Sequence, residues 1–242
     1  MSLKGKIIVI EGTDGSGKQT QAAKLRERLE NAGYKVYSTS FPRYDSDSSA
    51  AVRMYLNGHI KKQAQDVSAK AASAFYAVDR YITYKKEIEP VHCDGEHVIV
   101  FDRWVESNII HQGAKLISQI ADVKQRQEKL GQFVKWLHGL EYSDFEVPKP
   151  DVTIYLNVPI DYTIKLREGR LNKSNGEEKQ DIHEADTTHL VNASESGLLA
   201  AEMFDWQVIE CVKDDKMRTV EDIAEEVWQR INETINPGIV SR

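Results

Sequence analysis

The stretch Lys6-Ile7-Ile8-Val9-Ile10-Glu11-Gly12-Thr13-Asp14-Gly15-Ser16-Gly17-Lys18 decides the fold. Its first half is a short β-branched run, and its second half fits G-x-x-x-x-G-K. From Lys18 onward Ala22, Leu25, Leu29 and Ala32 recur at steps of three and four, so the whole reads as strand, loop and helix. In that context the loop is a phosphate cradle. Its glycines let backbone N–H groups converge on phosphate oxygens, the helix N-terminus adds positive potential, and Lys18 reaches the β- and γ-phosphates. Gly12, Thr13, Asp14, Gly15, Ser16, Gly17, Lys18, Gln19 and Thr20 are therefore the expected nucleotide contacts. One position departs from the usual pattern. Gln19 stands where a serine or threonine normally supplies a magnesium ligand, and Thr20, one residue late, is turned about 100° round the helix. The amide oxygen of Gln19, or water, is left to fill that place.

Outward from the loop, Gly33 suits the end of the first helix, Tyr34 to Phe41 reads as a second strand, and Pro42 stops it. Ala71, Phe75, Val78 and Ile82 form an apolar stripe on one long helix from Asp66 to Glu89 that Pro90 closes, with Phe75 assigned to the core. Val98 to Phe101 is an unalternating apolar strand ending at Asp102, as expected of a strand covered on both faces. Asp102, beside the loop, is the better candidate for organising magnesium; a strand-end cap is the alternative. A helix starts near Val105, Leu116 to Gln127 reads as added helix, and helical spacing resumes through Leu130, Phe133, Val134 and Leu137. Pro148-Lys149-Pro150 precedes a buried strand from Val152 to Leu156, and a strand from Trp206 to Val212 and an amphipathic helix from Val220 to Ile231 follow. Strands alternating with helices imply a parallel α/β sheet. Between Arg167 and Glu184 the chain turns polar and rich in Gly, Asn and Lys, a candidate mobile lid.

With 242 residues the length prior favours one large domain, here spanning 1–242. Hydrophobic residues at 40% and charged residues at 29% fit a globular chain and exclude a disordered one. The longest apolar run, Ala74 to Val78, is five residues, against roughly 20 for a bilayer span. Only Ile7 to Ile10 precede Glu11, too few for a signal-peptide core, so a cytoplasmic location is expected. Cys93 and Cys211 lack metal-ligand spacing and read as reduced core thiols. A net charge of -6 argues against nucleic acid or an acidic membrane as partner, so bound phosphate must be held by a local basic site.

The residues that would build such a site resemble a known family. Ile10-Glu11-Gly12 with the loop, Phe41-Pro42-Arg43-Tyr44, Phe75-Tyr76-Ala77-Val78-Asp79-Arg80, Asp102-Arg103-Trp104 followed by Ser107-Asn108 and Gln112-Gly113, and Pro148-Lys149-Pro150-Asp151 occur in the order seen in thymidylate kinases. The resemblance covers nearly the whole chain. It implies a three-layer P-loop kinase fold with a central parallel sheet and a lid at about 167–184, transfer of the ATP γ-phosphoryl group to dTMP with Mg2+, and a homodimer. It also implies roles. Asp14 would lie beside the sugar 3′-hydroxyl; Arg43 and Arg103 would face the acceptor phosphate, with Phe41 in the same segment. Tyr76 would stack on thymine and Arg80 would face its edge; their i, i+4 spacing independently puts both on one face, although a solvated cation–π pair has the same spacing. Ser107, Asn108, His111 and Gln112 would line the same groove. The family commonly has tyrosine at position 111, so His111 reads equally as a structural histidine. Asp181 and Glu184 match the acidic end of the family's lid.

Asp14-Gly15-Ser16 carries no arginine, which some members of the family have inside the loop, so Arg167 or Arg170 of the lid is expected to supply that cation; a solvated charged loop is the bland alternative. A phosphate monoester with a second pKa near 6 is mostly dianionic at neutral pH, so the acceptor needs charge neutralisation and in-line positioning rather than a base. A deoxynucleoside kinase would instead need a placed carboxylate, for which Glu11 and Asp14 are available, but would leave two arginines without a phosphate. A nucleotide-dependent switch is the remaining alternative, and the chain lacks the Asn-Lys-x-Asp guanine reader.

Overall fold

The computed structural model describes residues 5–167 and 187–235. In chain order its elements are β1 (Lys6–Gly12), α1 (Lys18–Asn31), β2 (Lys35–Ser40), α2 (Ala50–Leu56), α3 (Ala69–Thr83), α4 (Glu89–Cys93), β3 (His97–Asp102), α5 (Glu106–Ile117), α6 (Val123–His138), β4 (Val152–Asn157), α7 (Ile160–Arg167), α8 (Thr187–Met203), β5 (Gln207–Glu210), the short strands β6 (Val212–Lys213) and β7 (Lys216–Met217), and α9 (Val220–Ile235). Five strands form one parallel sheet in the order β2-β3-β1-β4-β5.

Both faces of that sheet are covered, which is why its central strands carry no polar alternation. On β1 the residues Ile7 and Val9 join Phe101, Trp104 and Ile109 on one side, under α5, α6 and α8. Ile8 and Ile10 join Leu25, Leu29, Ile223 and Val227 on the other, under α1 and α9. The three layers expected from the sequence are therefore present. Register places the chemistry: Ile10 pairs with Asp102 and Gly12 with Leu156, so the phosphate loop leaves the sheet between the ends of β3 and β4.

Four readings of the sequence need correction. The stripe Ala71, Phe75, Val78, Ile82 is not the buried face of the helix, although Phe75 does pack, partly buried, against the Val52, Tyr55 and Leu56 cluster. Val78 is 42% exposed, whereas Ala72, Ser73, Ala77, Arg80 and Thr83 are buried on the opposite side of α3. A charged and small-residue face is the inward one because it closes round an internal ion pair, described below. Pro90 does not end the helix either: a π-turn at Tyr84–Ile88 joins α3 to α4, where Pro90 occupies the first turn and its missing N–H costs nothing. Leu116 to Gln127 is interrupted rather than added helix, since α5 stops at Ile117 and Asp122 caps α6 by accepting from the Gln125 N–H at 2.8 Å. Cys211 is a buried free thiol as expected, but Cys93, at the end of α4, is exposed.

Candidate active site

The loop between β1 and α1 is shaped by steric necessity at two positions. Gly12 sits at φ 150°, and a Cβ there would meet Ser16 Oγ at 2.6 Å and the Leu156 carbonyl oxygen at 2.9 Å. Gly17 caps α1 in the left-handed region at φ 85°, which only glycine adopts without strain. The Lys18 amine folds back over this turn, donating to the Thr13 carbonyl oxygen at 2.6 Å and to Ser16 Oγ at 3.4 Å. Burial, reinforced by the Arg103 cation, lowers its pKa to about 8, with Asp14, Asp102 and Glu11 opposing. The ammonium is thus charged at neutral pH and largely stripped of water, the condition in which it stabilises a phosphate most.

Arg103 follows β3 with φ 75°, a conformation that costs a non-glycine residue of order 1–3 kcal/mol and is retained where surrounding contacts over-determine it. Those contacts are visible. Its N–H donates to the Ile10 carbonyl oxygen at 3.2 Å, its Nη2 pairs with Asp14 Oδ1, and its Nη1 lies 2.8 Å from His111 Nε2. Burial works against the guanidinium, but Asp14, Asp102 and Glu11 more than offset it and hold the group firmly charged. Glu11 is itself fully buried, accepting from the Trp104 N–H at 2.8 Å and from Ser107 Oγ at 2.7 and 2.9 Å. Burial raises its pKa, and Arg103 is the main opposing charge. Glu11 therefore ties β1 to the start of α5, and Ser107 is committed to that tie.

Asp102 is 7% exposed, and its Oδ1 has no hydrogen-bond partner among the described residues. A buried carboxyl oxygen without a protein partner beside the loop is of the chemistry that a divalent cation or its water would need. Gln19 and Thr20 are both exposed on α1.

A second polar group lies deeper, between α3 and α5. Arg80 is 1% exposed, and its Nε and Nη2 both donate to the carboxylate of Glu141, with Nε at 2.7 Å; Nη1 donates to the Trp104 carbonyl oxygen at 3.3 Å. One N–H on each terminal nitrogen is left over. Asn108 Nδ2 reaches the Ser73 carbonyl oxygen at 3.4 Å, and Gln112 Oε1 is buried without a partner among the described residues. Tyr76, one turn before Arg80, is half-buried and meets Tyr55 edge-on at 6.5 Å between ring centroids. A solvated Tyr76–Arg80 pair is ruled out by the burial of Arg80. α5 is brought this close to α8 by Gly113, where a Cβ would strike Ser196 Oγ and Leu130 Cδ1, each at 2.6 Å.

The remaining candidates fall differently. Arg43 donates to Glu87 at 2.7 Å and to Asp45 at 3.4 Å, so its charge is shared with carboxylates. Its backbone N–H is held by Asp79 Oδ2 at 2.9 Å. Phe41 is a core residue, 4% exposed and 5.0 Å from the Trp104 ring, where it supports the Arg103 turn from beneath instead of presenting a free face. Arg167 ends α7, while Arg170, Asp181 and Glu184 lie outside the described residues. Glu141 and Asp79 were not anticipated. Asp79 immediately precedes Arg80 and was legible as part of an acidic-basic pair, but Glu141 sits in a π-turn at Gly139–Asp144 that no periodicity announces.

A parallel sheet in this strand order, a phosphate loop joining its central strand to a helix, and an acidic strand end beside that loop define a P-loop kinase. Comparison with known proteins narrows the class. The family model described as Thymidylate kinase matches residues 10–198. The probable thymidylate kinase of Pyrobaculum aerophilum is 31% identical over 194 residues, 78% of this chain and 84% of that one. The thymidylate kinase of Mycobacterium tuberculosis is 30% identical over 176 residues, 70% of this chain and 74% of the other. Among solved structures, thymidylate kinase from Candida albicans shares the fold with a TM-score of 0.69 at 20% identity, over 98% of this chain and 95% of that one. The chain belongs to the thymidylate kinase family.

Proposed function

We propose that this chain transfers the γ-phosphoryl group of ATP to dTMP, giving dTDP and ADP as a step in dTTP synthesis. The observation that carries the reading beyond the family match is Arg103. It is a partly buried cation fixed between the phosphate loop and α5, on the same side of the sheet end as Lys18, where an acceptor phosphate must approach the donor. Two cations so placed allow two polyanions to come together, which is the main requirement when the nucleophile is already a dianion.

In this reading the backbone of Gly12 to Gly17 and the Lys18 ammonium hold the ATP phosphates, with Gln19 and Thr20 opening α1 beneath them. Mg2+ travels with ATP and neutralises phosphate oxygens when bound, and Asp102 is the residue that would hold it. Arg103 and, once released from Glu87, Arg43 orient the acceptor phosphate, while Asp14 meets the sugar 3′-hydroxyl. Tyr76 stacks on the base, and Arg80, with Asn108 and Gln112, reads its edge. Arg167 or Arg170 of the lid at about 167–184 would supply the cation to the migrating phosphoryl group, and Asp181 and Glu184 would contact substrate. Two copies of the chain would pair as a homodimer, as the family likeness implies. No helix among the described residues is long and apolar enough to cross a membrane.

The base-reading assignment makes a selectivity prediction. The leftover N–H groups of Arg80 match the O4 acceptor of thymine but oppose the N4 amino donor of cytosine. ADP release measured with a panel of nucleoside monophosphates should give dTMP first, dUMP roughly 10–200-fold lower for the lost methyl, and dCMP lower by roughly 10⁴ in kcat/KM. Comparable values for dCMP and dTMP would remove Arg80 from base recognition, and ADP release indifferent to every monophosphate would favour a nucleotide switch.

A further inference from the structure

His111 has a partner within the protein. Its Nε2 lies 2.8 Å from Arg103 Nη1. A guanidinium has donors only, so the imidazole must accept at Nε2 and carry its proton on Nδ1. The other arm of the same guanidinium is held by Asp14. The ring of His189, from α8, runs nearly parallel to that of His111 at 6.1 Å between centroids and 24° between planes.

We infer that His111 is a positioning residue: it holds Arg103 from the α5 side in the orientation that meets the acceptor phosphate, as a neutral acceptor that adds no counter-charge to that of Asp14. A carboxylate on both flanks would also fix the guanidinium, but would neutralise it and weaken its pull on a phosphate. An imidazole donor would repel it. The groups that bear on the ring are Asp14, Arg103, His189 and Lys18, and burial together with the three cationic or potentially cationic neighbours keeps His111 neutral well below its ordinary range, with Asp14 opposing. The assignment rests on the dTMP kinase reading and separates position 111 from direct contact with the nucleoside.

The test is a double-mutant cycle read with dTMP and ATP. His111→Leu should lower kcat/KM for dTMP by about 10- to 100-fold, the usual worth of a hydrogen bond to a charged group, and leave KM for ATP unchanged. His111→Gln, whose amide oxygen accepts, should recover most of the loss. In an Arg103→Ala background His111→Leu should add no more than about twofold, because the arginine through which it acts is gone. Full multiplication of the two losses would overturn the inference in favour of a direct substrate contact. A second readout does not depend on turnover: long-range ¹⁵N–¹H spectra of the imidazole should show the Nδ1–H tautomer at pH 7, relaxing toward Nε2–H in Arg103→Ala. An Nε2–H tautomer in the unmutated protein would equally overturn it. Absence of dTMP turnover in the unmutated protein would refute the kinase reading, and the tautomer would still decide the contact.

Discussion

Arg80→Leu should cost the fold about 3–5 kcal/mol, the penalty for breaking a buried ion pair by removing one partner. Both groups are out of water, Arg80 at 1% and Glu141 at 0% exposure, and the guanidinium fork spans both carboxylate oxygens. Without it, Glu141 is left as a buried carboxylate whose remaining neighbour, Asn108 Nδ2, stands at 3.5 Å and cannot replace a bidentate pair. Leucine also underfills the space between α3 and α5. Urea unfolding should show the loss directly, and Arg80→Leu with Glu141→Leu should regain most of it, since replacing both partners by apolar groups is often neutral. A single mutant within about 1 kcal/mol of the parent would mean that the pair contributes nothing net. For function, an inactive Arg80→Leu enzyme alone says little about base reading. The monophosphate panel on the intact protein is the cleaner probe.

Lys18→Ala should lower kcat by roughly 10²–10³, the cost of removing one preorganised charge stabiliser from a transition state. Lys18 is 5% exposed, its amine lies against the Thr13 carbonyl and Ser16 hydroxyl, and it meets no carboxylate within ion-pair distance among the described residues. Its desolvation therefore has no structural return until phosphate arrives. The variant should unfold at an equal or slightly higher denaturant concentration, which would show that the lost turnover reflects chemistry and not folding. Near-parental turnover in the folded variant would remove Lys18 from the mechanism.

Much of this was legible in the sequence for a physical reason. β1, β3 and β4 are buried on both faces and so announce themselves as apolar runs, and a phosphate loop needs its glycines and lysine at fixed spacing after such a strand. Asp102 follows from the same strand. The α3 face was illegible because hydropathy periodicity assumes that apolar residues point inward. Here the inward side holds Ser73, Arg80 and Thr83, since the core at that place is organised round an ion pair whose partners are 61 residues apart. No local pattern links Arg80 to Glu141, or Arg103 to His111 and Asp14. Those contacts exist only once the sheet has set β1, β3 and α5 side by side. The π-turn after α3 was likewise hidden, because Pro90 reads as a terminator unless a first helical turn is available to accept it.

The central claim is that phosphate, not hydroxyl or water, receives the transferred group. ³¹P NMR of ATP with dTMP, and separately with thymidine, reads the acceptor directly. The account predicts dTDP and ADP growing in equal amounts from dTMP, and no phosphorylated product from thymidine. Formation of dTMP from thymidine, or release of ADP and inorganic phosphate at a rate indifferent to dTMP, would contradict it.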